Sequence, residues 1–410
     1  MRICRRLMMC CIGMLACASL TATAQEKARP MGGMKAAAKA RPALSIGAAF
    51  APDGKLWVSG LDEHAHLFIQ SSADFGATWN ARQLLETEGD AISADGENRP
   101  KIAFGSGRAD GVVVVAYTKP LAKPFTGDIR MLRSGDGGKT FSAPFTVHDD
   151  RQPITHRFES IAFDRKGDLY VTWVDKRDLD AARAGERGGK GAAIYGKVSK
   201  DGGKTFGADL KLADSSCECC RIALVDSPQS GMVAMWRHVF EGSVRDHGFA
   251  PLSDLGRELG SSMRTPARAT EDGWVLAACP HHGPGLANAS PAGFHAVWFG
   301  LKAGKSAVRY GRLSEKGLPV GQVRELPDDK AEHADVVADG KSVAIAWRSY
   351  DGKRTHLRAW VSTDDGVTFM QRELAATTDD NDHPRMLAHG GNAYAVWRTE
   401  KAIDVYKISF

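Results

Sequence analysis

Ser72-Ala-Asp74-Phe-Gly76-Ala-Thr78-Trp79 and Ser134-Gly-Asp136-Gly-Gly138-Lys-Thr140-Phe141 share one template with two later segments. These are Ser199-Lys-Asp201-Gly-Gly203-Lys-Thr205-Phe206 and Ser362-Thr-Asp364-Asp-Gly366-Val-Thr368-Phe369. The shared pattern is S-x-D-x-G-x-T-W/F. Ser and Asp oxygens accept the backbone N–H groups of a tight turn, and Gly enters positive φ without a Cβ penalty. The closing aromatic anchors the next strand. The pattern therefore predicts one strand-to-strand turn used four times over.

Spacing turns the motif into a fold. The first three serines stand 62 and 65 residues apart, and 163 residues separate Ser199 from Ser362. Degraded copies at Ser253-Asp-Leu-Gly256 and Ser314-Glu-Lys-Gly317 divide that gap into steps of 54, 61 and 48. Ser409-Phe410 stands where a seventh copy would begin, 47 residues after Ser362. Pairs of strand-like segments precede the turns, among them Asn98–Phe104 with Val112–Tyr117 and Arg157–Phe163 with Leu169–Val174. Short strands rich in Val, Ile and aromatics, repeating every 50–60 residues or so, predict an all-β β-propeller of four-stranded antiparallel blades. The count gives seven blades, alternatively six, with inner strands near residues 45, 100, 158, 222, 285, 335 and 385.

The ends and the charge narrow the class. Arg2, Arg5 and Arg6, the apolar run Leu7–Leu20 and Ala22-Thr23-Ala24 before Gln25 form the pattern of a secretory signal peptide over 1–24. Residues 25–43 then read as a linker and 44–410 as the propeller. The expected location is outside the cytoplasm, in the periplasm rather than the medium. Met14-Leu15-Ala16-Cys17 is a weaker lipoprotein pattern, because Leu15 is bulky where such signals are small. No later apolar run reaches membrane length. Removing the three signal arginines from 54 basic residues leaves 51 against 49 acidic ones. That balance excludes an electrostatic case for nucleic acid or an anionic membrane surface. No P-loop, dinucleotide fingerprint or nucleophile elbow appears.

The four complete copies resemble the Asp-boxes, or BNR repeats, of the sialidase superfamily, and the repeat carries the resemblance across residues 44–410. It implies a propeller with the Asp-boxes on the rim away from the active site. It also implies an arginine triad for a substrate carboxylate, a Tyr nucleophile helped by Glu, and an Asp acid/base. The family's first inner strand usually bears Arg-Ile-Pro. Here it reads Leu44-Ser45-Ile46-Gly47-Ala48-Ala49-Phe50, and the nearest approach is Arg99-Pro100-Lys101-Ile102. Arginine recurs after a second-strand Trp at Trp236-Arg237, Trp347-Arg348 and Trp397-Arg398. Arg237, Arg348 and Arg398 are candidates for a carboxylate clamp, the anion that a planar guanidinium suits. The alternative is repeat-derived packing, with Trp between blades and Arg at the rim.

Cysteine supplies the second candidate site. Four of the eight cysteines fall in the signal segment, leaving Cys217, Cys219, Cys220 and Cys279. In a propeller the start of each inner strand and the loop after the second strand share one face around the channel. That face is expected to carry His156-Arg157, Cys217–Arg221, Cys279-Pro280-His281-His282, His333 and His383, joined by His238 and His247. Cys217, Cys219, Cys220, Cys279, His238, His247, His281 and His282 could converge there. Three readings stand side by side. One is structural disulfides, Cys217–Cys279 with a vicinal Cys219–Cys220. Another is a soft or borderline metal, copper or zinc, on thiolates and imidazoles. The third is redox chemistry at adjacent thiols. The leading expectation is a propeller that binds a ligand or metal through this face. The alternatives are an exo-sialidase-type glycoside hydrolase acting on acidic sugars and a periplasmic protein-interaction scaffold.

Overall fold

The computed structural model describes residues 43–183, 191–253, 265–276, 278 and 280–410. The signal segment 1–24, nearly all of the linker and Cys279 lie outside the described residues. Seven antiparallel sheets follow one another along the chain, each adding its strands in sequence order. Blade 1 is β1–β4 (Gly47–Phe50, Leu56–Leu61, Leu67–Ser72, Gln83–Leu84). Blade 2 is β5–β8 (Lys101–Phe104, Val113–Pro120, Gly127–Ser134, Phe145–Thr146). Blade 3 is β9–β12 (His156–Phe163, Leu169–Asp175, Ala192–Ser199, Leu210–Ser216). Blade 4 is β13–β16 (Ala223–Ser227, Gly231–Arg237, His247–Pro251, Ala267–Arg268). Blade 5 is β17–β20 (Gly285–Asn288, Phe294–Lys302, Lys305–Leu313, Pro319–Glu325). Blade 6 is β21–β24 (Ala331–Asp339, Ser342–Tyr350, Thr355–Ser362, Met370–Thr377). Blade 7 is β25–β27 (Arg385–His389, Asn392–Arg398, Ile403–Ser409), three strands among the described residues. Seven blades form the propeller; the six-bladed alternative is excluded. One short α-helix, Arg177–Arg183, lies in the connection after the second strand of blade 3.

The core lies between blades. Each of the seven blade-to-blade junctions holds its own apolar cluster. Second strands supply the largest members of six of them: Trp173, Trp236, Trp298, Trp347 and Trp397, with Tyr117 taking that role in blade 2, are all almost fully buried, while between blades 7 and 1 it is Phe68 of the third strand. An antiparallel sheet buried on both faces needs apolar residues at successive positions, which is why Val113–Val115 and Val343–Trp347 read as near-continuous apolar runs. Blades 7 and 1 close the ring. Val396 packs with Ile46, Val58 and Phe68. Asp382 accepts from Ser45 Oγ at 2.9 Å, the Ile46 N–H at 3.1 Å and Arg99 Nη1 at 2.9 Å.

Each complete repeat motif begins at the last residue of its blade's third strand, in blades 1, 2, 3 and 6. In all four copies Ser Oγ–H donates to Asp Oδ1, the Gly N–H donates to Ser Oγ, and both the Thr N–H and Thr Oγ1 donate to Asp. These bonds measure 2.6–3.0 Å throughout. Thr78, through its hydroxyl and then its N–H, with Ser72 adding a further bond, draws the Asp74 carboxyl down to about 2. Thr368 and Ser362 do the same to Asp364, also about 2. Gly366 shows why the fifth position is glycine. Its φ is +80°, and a Cβ there would collide with the Tyr310 hydroxyl of blade 5. Ser314 keeps only a remnant of the network, a bond from the Leu318 N–H to Ser314 Oγ at 3.2 Å. Ser409 ends the third strand of blade 7, as the spacing predicts.

Candidate functional site

The Asp-box turns lie on one face of the ring. The opposite face carries the connections entering each first strand, and those connections meet at the channel mouth. Their chemistry differs blade by blade: Glu97 from blade 2, the Cys217–Arg221 turn entering blade 4, His282 entering blade 5, His333 in blade 6 and His383 entering blade 7. Deeper in the channel, cations and acids pair. Arg99 meets Asp382 at 2.9 Å, Lys101 meets Glu159 at 3.2 Å and Arg385 meets Asp335 at 3.2 Å. Arg221 Nη1 donates to both Glu97 oxygens at 3.1 Å, while its Nε and Nη2 are taken by the Pro284 and Ala334 carbonyls. Although burial pushes the Glu97 carboxyl up, Arg221, His333 and His383 together hold it well below the usual carboxylate range. The lower channel is thus lined by compensated charges around a cavity of ≈ 200 Å³.

The Cys217-Glu218-Cys219-Cys220 turn brings three sulfurs together. Cys217 Sγ stands 3.8 Å from Cys219 Sγ and 3.5 Å from Cys220 Sγ, and Cys219 Sγ is 4.0 Å from Cys220 Sγ. A disulfide needs roughly 2.05 Å, so the expected vicinal Cys219–Cys220 bond is not formed in this structure. The tight turn leaves the three sulfurs in mutual contact, unbonded. The Cys217–Cys279 pairing lies outside the described residues. The Cys217 N–H bonds the Arg237 carbonyl at 3.0 Å, anchoring one end of the turn, and Lys176 pairs with Glu218 at its tip. All three described cysteines are buried. A hydrogen bond with Cys217, with burial adding to it, raises the Cys220 thiol well above its ordinary range.

The expected histidines divide. His281 lines a cavity of ≈ 500 Å³ with Cys219, Glu97, His333 and His383. His282 stacks on His333 at 4.2 Å and on Phe299 at 4.3 Å. His333 stacks in turn on His383 at 3.3 Å. His238 packs edge-on against Phe240, and His247 bonds Thr270 within blade 4. Among the described residues, three groups of ligand atoms lying within 4.8 Å of one another occupy this mouth without exposed members: Cys217/Cys219/Cys220, Glu97/His333/His383 and His282/Glu332/His333. His238, His247 and His281 belong to none of the three, so the full convergence expected of the eight residues is not formed among those described. Burial drives His238 to about 4 and His282 to about 2, and pushes His247, His333 and His383 down as well.

The three candidate clamp arginines do not meet over the channel. Arg237 is almost fully buried, and its guanidinium donates to the Arg245, His282 and Phe299 carbonyls. Arg348 bonds Glu332 at 2.8 Å and the Asn381 carbonyl at 3.0 Å, and Arg398 bonds the Leu61 carbonyl at 2.8 Å. Each extends from the end of a second strand to the next blade. The repeated Trp-Arg pair therefore joins blades: the indole fills the junction and the guanidinium satisfies carbonyls across it.

Glu97 was not legible as a site residue. It lies in a short polar stretch, Asp95-Gly96-Glu97-Asn98, that reads as a turn. Its one signal is positional, since it enters an inner strand as His282 and His383 do.

The geometry defines an all-β seven-bladed propeller with a thiol-, imidazole- and carboxylate-lined channel mouth. No protein-family model and no curated protein matches the chain. Solved structures of similar fold include a PL25 ulvan lyase, with TM-score 0.52 and 12% identity over 89% of this chain and 94% of that one. The polysaccharide lyase Uly1 aligns with TM-score 0.52 and 9% identity over 94% of both chains. An α-L-arabinanase from Penicillium chrysogenum gives TM-score 0.48 and 13% identity over 90% of this chain and 96% of that one. At such identities the likeness is one of fold. No helix among the described residues is long and apolar enough to cross a membrane.

Proposed function

We propose that this propeller is a metal-binding protein whose Cys217, Cys219 and Cys220 thiolates hold copper or zinc at the channel mouth. The sulfur triangle carries the reading. With a metal–sulfur bond of about 2.3 Å, tetrahedral ligation sets neighbouring sulfurs about 3.8 Å apart and trigonal ligation about 4.0 Å. The observed separations of 3.5, 3.8 and 4.0 Å bracket the tetrahedral value. Three thiolates are a soft donor set, which favours Cu(I) and Zn(II) over Mg or Ca. Elemental analysis of the purified chain beside its Cys217→Ser/Cys219→Ser/Cys220→Ser variant tests this. Stoichiometric copper or zinc in the first and none in the second is expected; equal metal content in both refutes the assignment.

A second reading, action on an acidic glycan, is favoured by the wider cavity. Phe125 is 76% exposed at its edge, offering a face on which a sugar ring can stack, and Arg157 and Lys176 line the same space. One of the similar structures is an ulvan lyase bound to a sulfated GlcA–Rha glycan. Sialidase-type hydrolysis is the narrower form of this reading, and the Asp-boxes support it only through the fold. Incubation with a fluorogenic sialoside and with uronate polysaccharides tests both forms. Turnover or binding lost in Arg157→Ala supports the glycan reading, and inertness toward every substrate removes it.

A further inference from the structure

We propose that the cavity of the lower channel binds a small tetrahedral oxoanion, phosphate or sulfate, through Arg99, Lys101 and Arg385. Its lining shares only Glu97 with the wider cavity at the mouth. The site stands or falls independently of a metal on the cysteine turn and of a glycan at the mouth.

Strand geometry brings the residues there. Side chains two apart along an extended chain share a face, so Glu97, Arg99 and Lys101, leading into β5, all line this cavity of ≈ 200 Å³. Arg221 enters it ahead of blade 4, and Asp335 and Arg385 come from blades 6 and 7. Two inner-strand glycines in the lining keep side chains out of it. At Gly47 a Cβ would lie 2.5 Å from the Pro100 carbonyl oxygen, and at Gly285 2.8 Å from Val297 Cγ2. The volume is well above the roughly 10–15 Å³ that one water needs, so an ion with several oxygens can enter.

The charges around the cavity are paired but unequally placed. Glu97 and Asp335 line it and offset Arg221 and Arg385, at 3.1 and 3.2 Å. The partners of the other two cations do not line it. Buried Asp382 holds Arg99 at 2.9 Å, and buried Glu159 holds Lys101 at 3.2 Å. The cavity surface thus carries four cations and two carboxylates. Hydrogen bonding points the same way. Arg99 is 4% exposed; its Nη1 donates to the Ile46 carbonyl and Asp382, and its Nη2 has no partner. Native interiors leave few buried N–H groups unpaired. Lys101 Nζ donates to the Arg99 carbonyl and Glu159, using two of its three N–H groups. Arg221 is not counted as a ligand, because its donors are spent on Glu97 and two carbonyls. A free fork nitrogen, an ammonium and a second guanidinium are what an oxoanion selects, since planar N–H groups match its oxygens and the ammonium adds a point charge. The sign of the surface opposes a metal cation.

Equilibrium dialysis of the full chain against radiolabelled phosphate and, separately, sulfate at fixed ionic strength tests the proposal. The variants are Arg99→Lys, Arg385→Gln and the triple Cys→Ser chain. Arg99→Lys keeps a charge beside Asp382 and removes the fork, and Arg385→Gln removes the least buried of the three cations. Thermal melts without added oxoanion confirm that each variant folds, and if Arg99→Lys does not, the wild type and Arg385→Gln decide. Saturable uptake of one equivalent by wild type is expected, with affinity weaker by about tenfold or more in each arginine variant, the loss of one charge-assisted bond. Wild-type Tm should also rise with phosphate or sulfate more than that of Arg385→Gln, a comparison that cancels the general stabilisation these ions give. No saturable uptake of either ion by wild type overturns the proposal and leaves the cavity to water. Wild-type affinity in both arginine variants overturns it too, by placing the ion elsewhere. Uptake should be unchanged in the triple Cys→Ser chain, and its loss there overturns the independence from the cysteine turn.

Discussion

The two faces of this ring are made by one repeat and have opposite logic. On the Asp-box face the same five residue types recur in blades 1, 2, 3 and 6, with hydrogen bonds that agree within a few tenths of an ångström. Each copy solves a local problem, how to turn from a third to a fourth strand, and the solution needs nothing from other blades except room for its glycine. On the channel face the equivalent positions hold Glu97, a cysteine turn, His282, His333 and His383. There the residues differ because each meets the others across the axis. Sequence identity between repeats marks what each blade does alone, and divergence between them marks what the blades do together.

The sharpest way to break this contrast is to remove a partner across the axis. Arg221→Met leaves Glu97 in the channel without its guanidinium partner, and breaking a buried pair from one side costs about 3–5 kcal/mol. Urea denaturation should show that loss, with Glu97→Gln/Arg221→Met recovering most of it. A loss below about 1 kcal/mol would mean that the channel charges are solvated and their pairing is not structural.

On the other face the largest effect belongs to a glycine. Gly366→Ala combines strain at φ +80° with a clash against Tyr310, and should cost about 2–3 kcal/mol. Gly340→Ala, at φ +59° with open space around it, carries the strain alone and should cost about 1 kcal/mol. Equal losses at the two positions would show that the Asp-box glycine serves only the turn and not the neighbouring blade.

Arg348→Ala should be milder still. It removes partly exposed bonds to Glu332 and Asn381 and is expected to cost under about 1 kcal/mol, with metal content unchanged. Loss of metal in that variant would draw the arginine into the channel site.

The smallest effect should come from Asp364→Asn, and pH gives it a signature. The folded Asp364 carboxyl sits near 2, below the ordinary 3.8. A depressed folded value means that the ionised group contributes stability above about 4 and loses it as pH falls through about 2. The difference in urea midpoint between wild type and Asp364→Asn should therefore be full at pH 6 and shrink between about pH 4 and 2. A difference independent of pH would assign the motif's benefit to the Ser–Gly contacts instead of the carboxylate.

The propeller was readable because its signals are local. S-x-D-x-G-x-T-W/F spans eight residues, and Ser409 could be placed by counting alone. The inner strands fall within a few residues of their predicted starts for the same reason. The cysteine turn was also readable as a local device, since Cys217, Cys219 and Cys220 are neighbours in the chain. Its state was not. Adjacent cysteines are compatible with a strained disulfide or separate thiols, and only the turn's geometry, with sulfurs 4.0 Å apart at Cys219 and Cys220, shows that the vicinal bond is not formed.

The arginines teach the complementary lesson. Trp236-Arg237, Trp347-Arg348 and Trp397-Arg398 repeat like a site, yet each guanidinium reaches a carbonyl of the following blade. Repetition there reflects a repeated junction. Composition, period and motif together determined that the chain forms a propeller of seven or six blades, because turn chemistry and strand alternation act over a few residues at a time. Tertiary structure alone decided that Glu97 meets His333, 236 residues away, and His383 beyond it. Ring closure brings blade 2 to blades 6 and 7 through packing that no local stretch encodes.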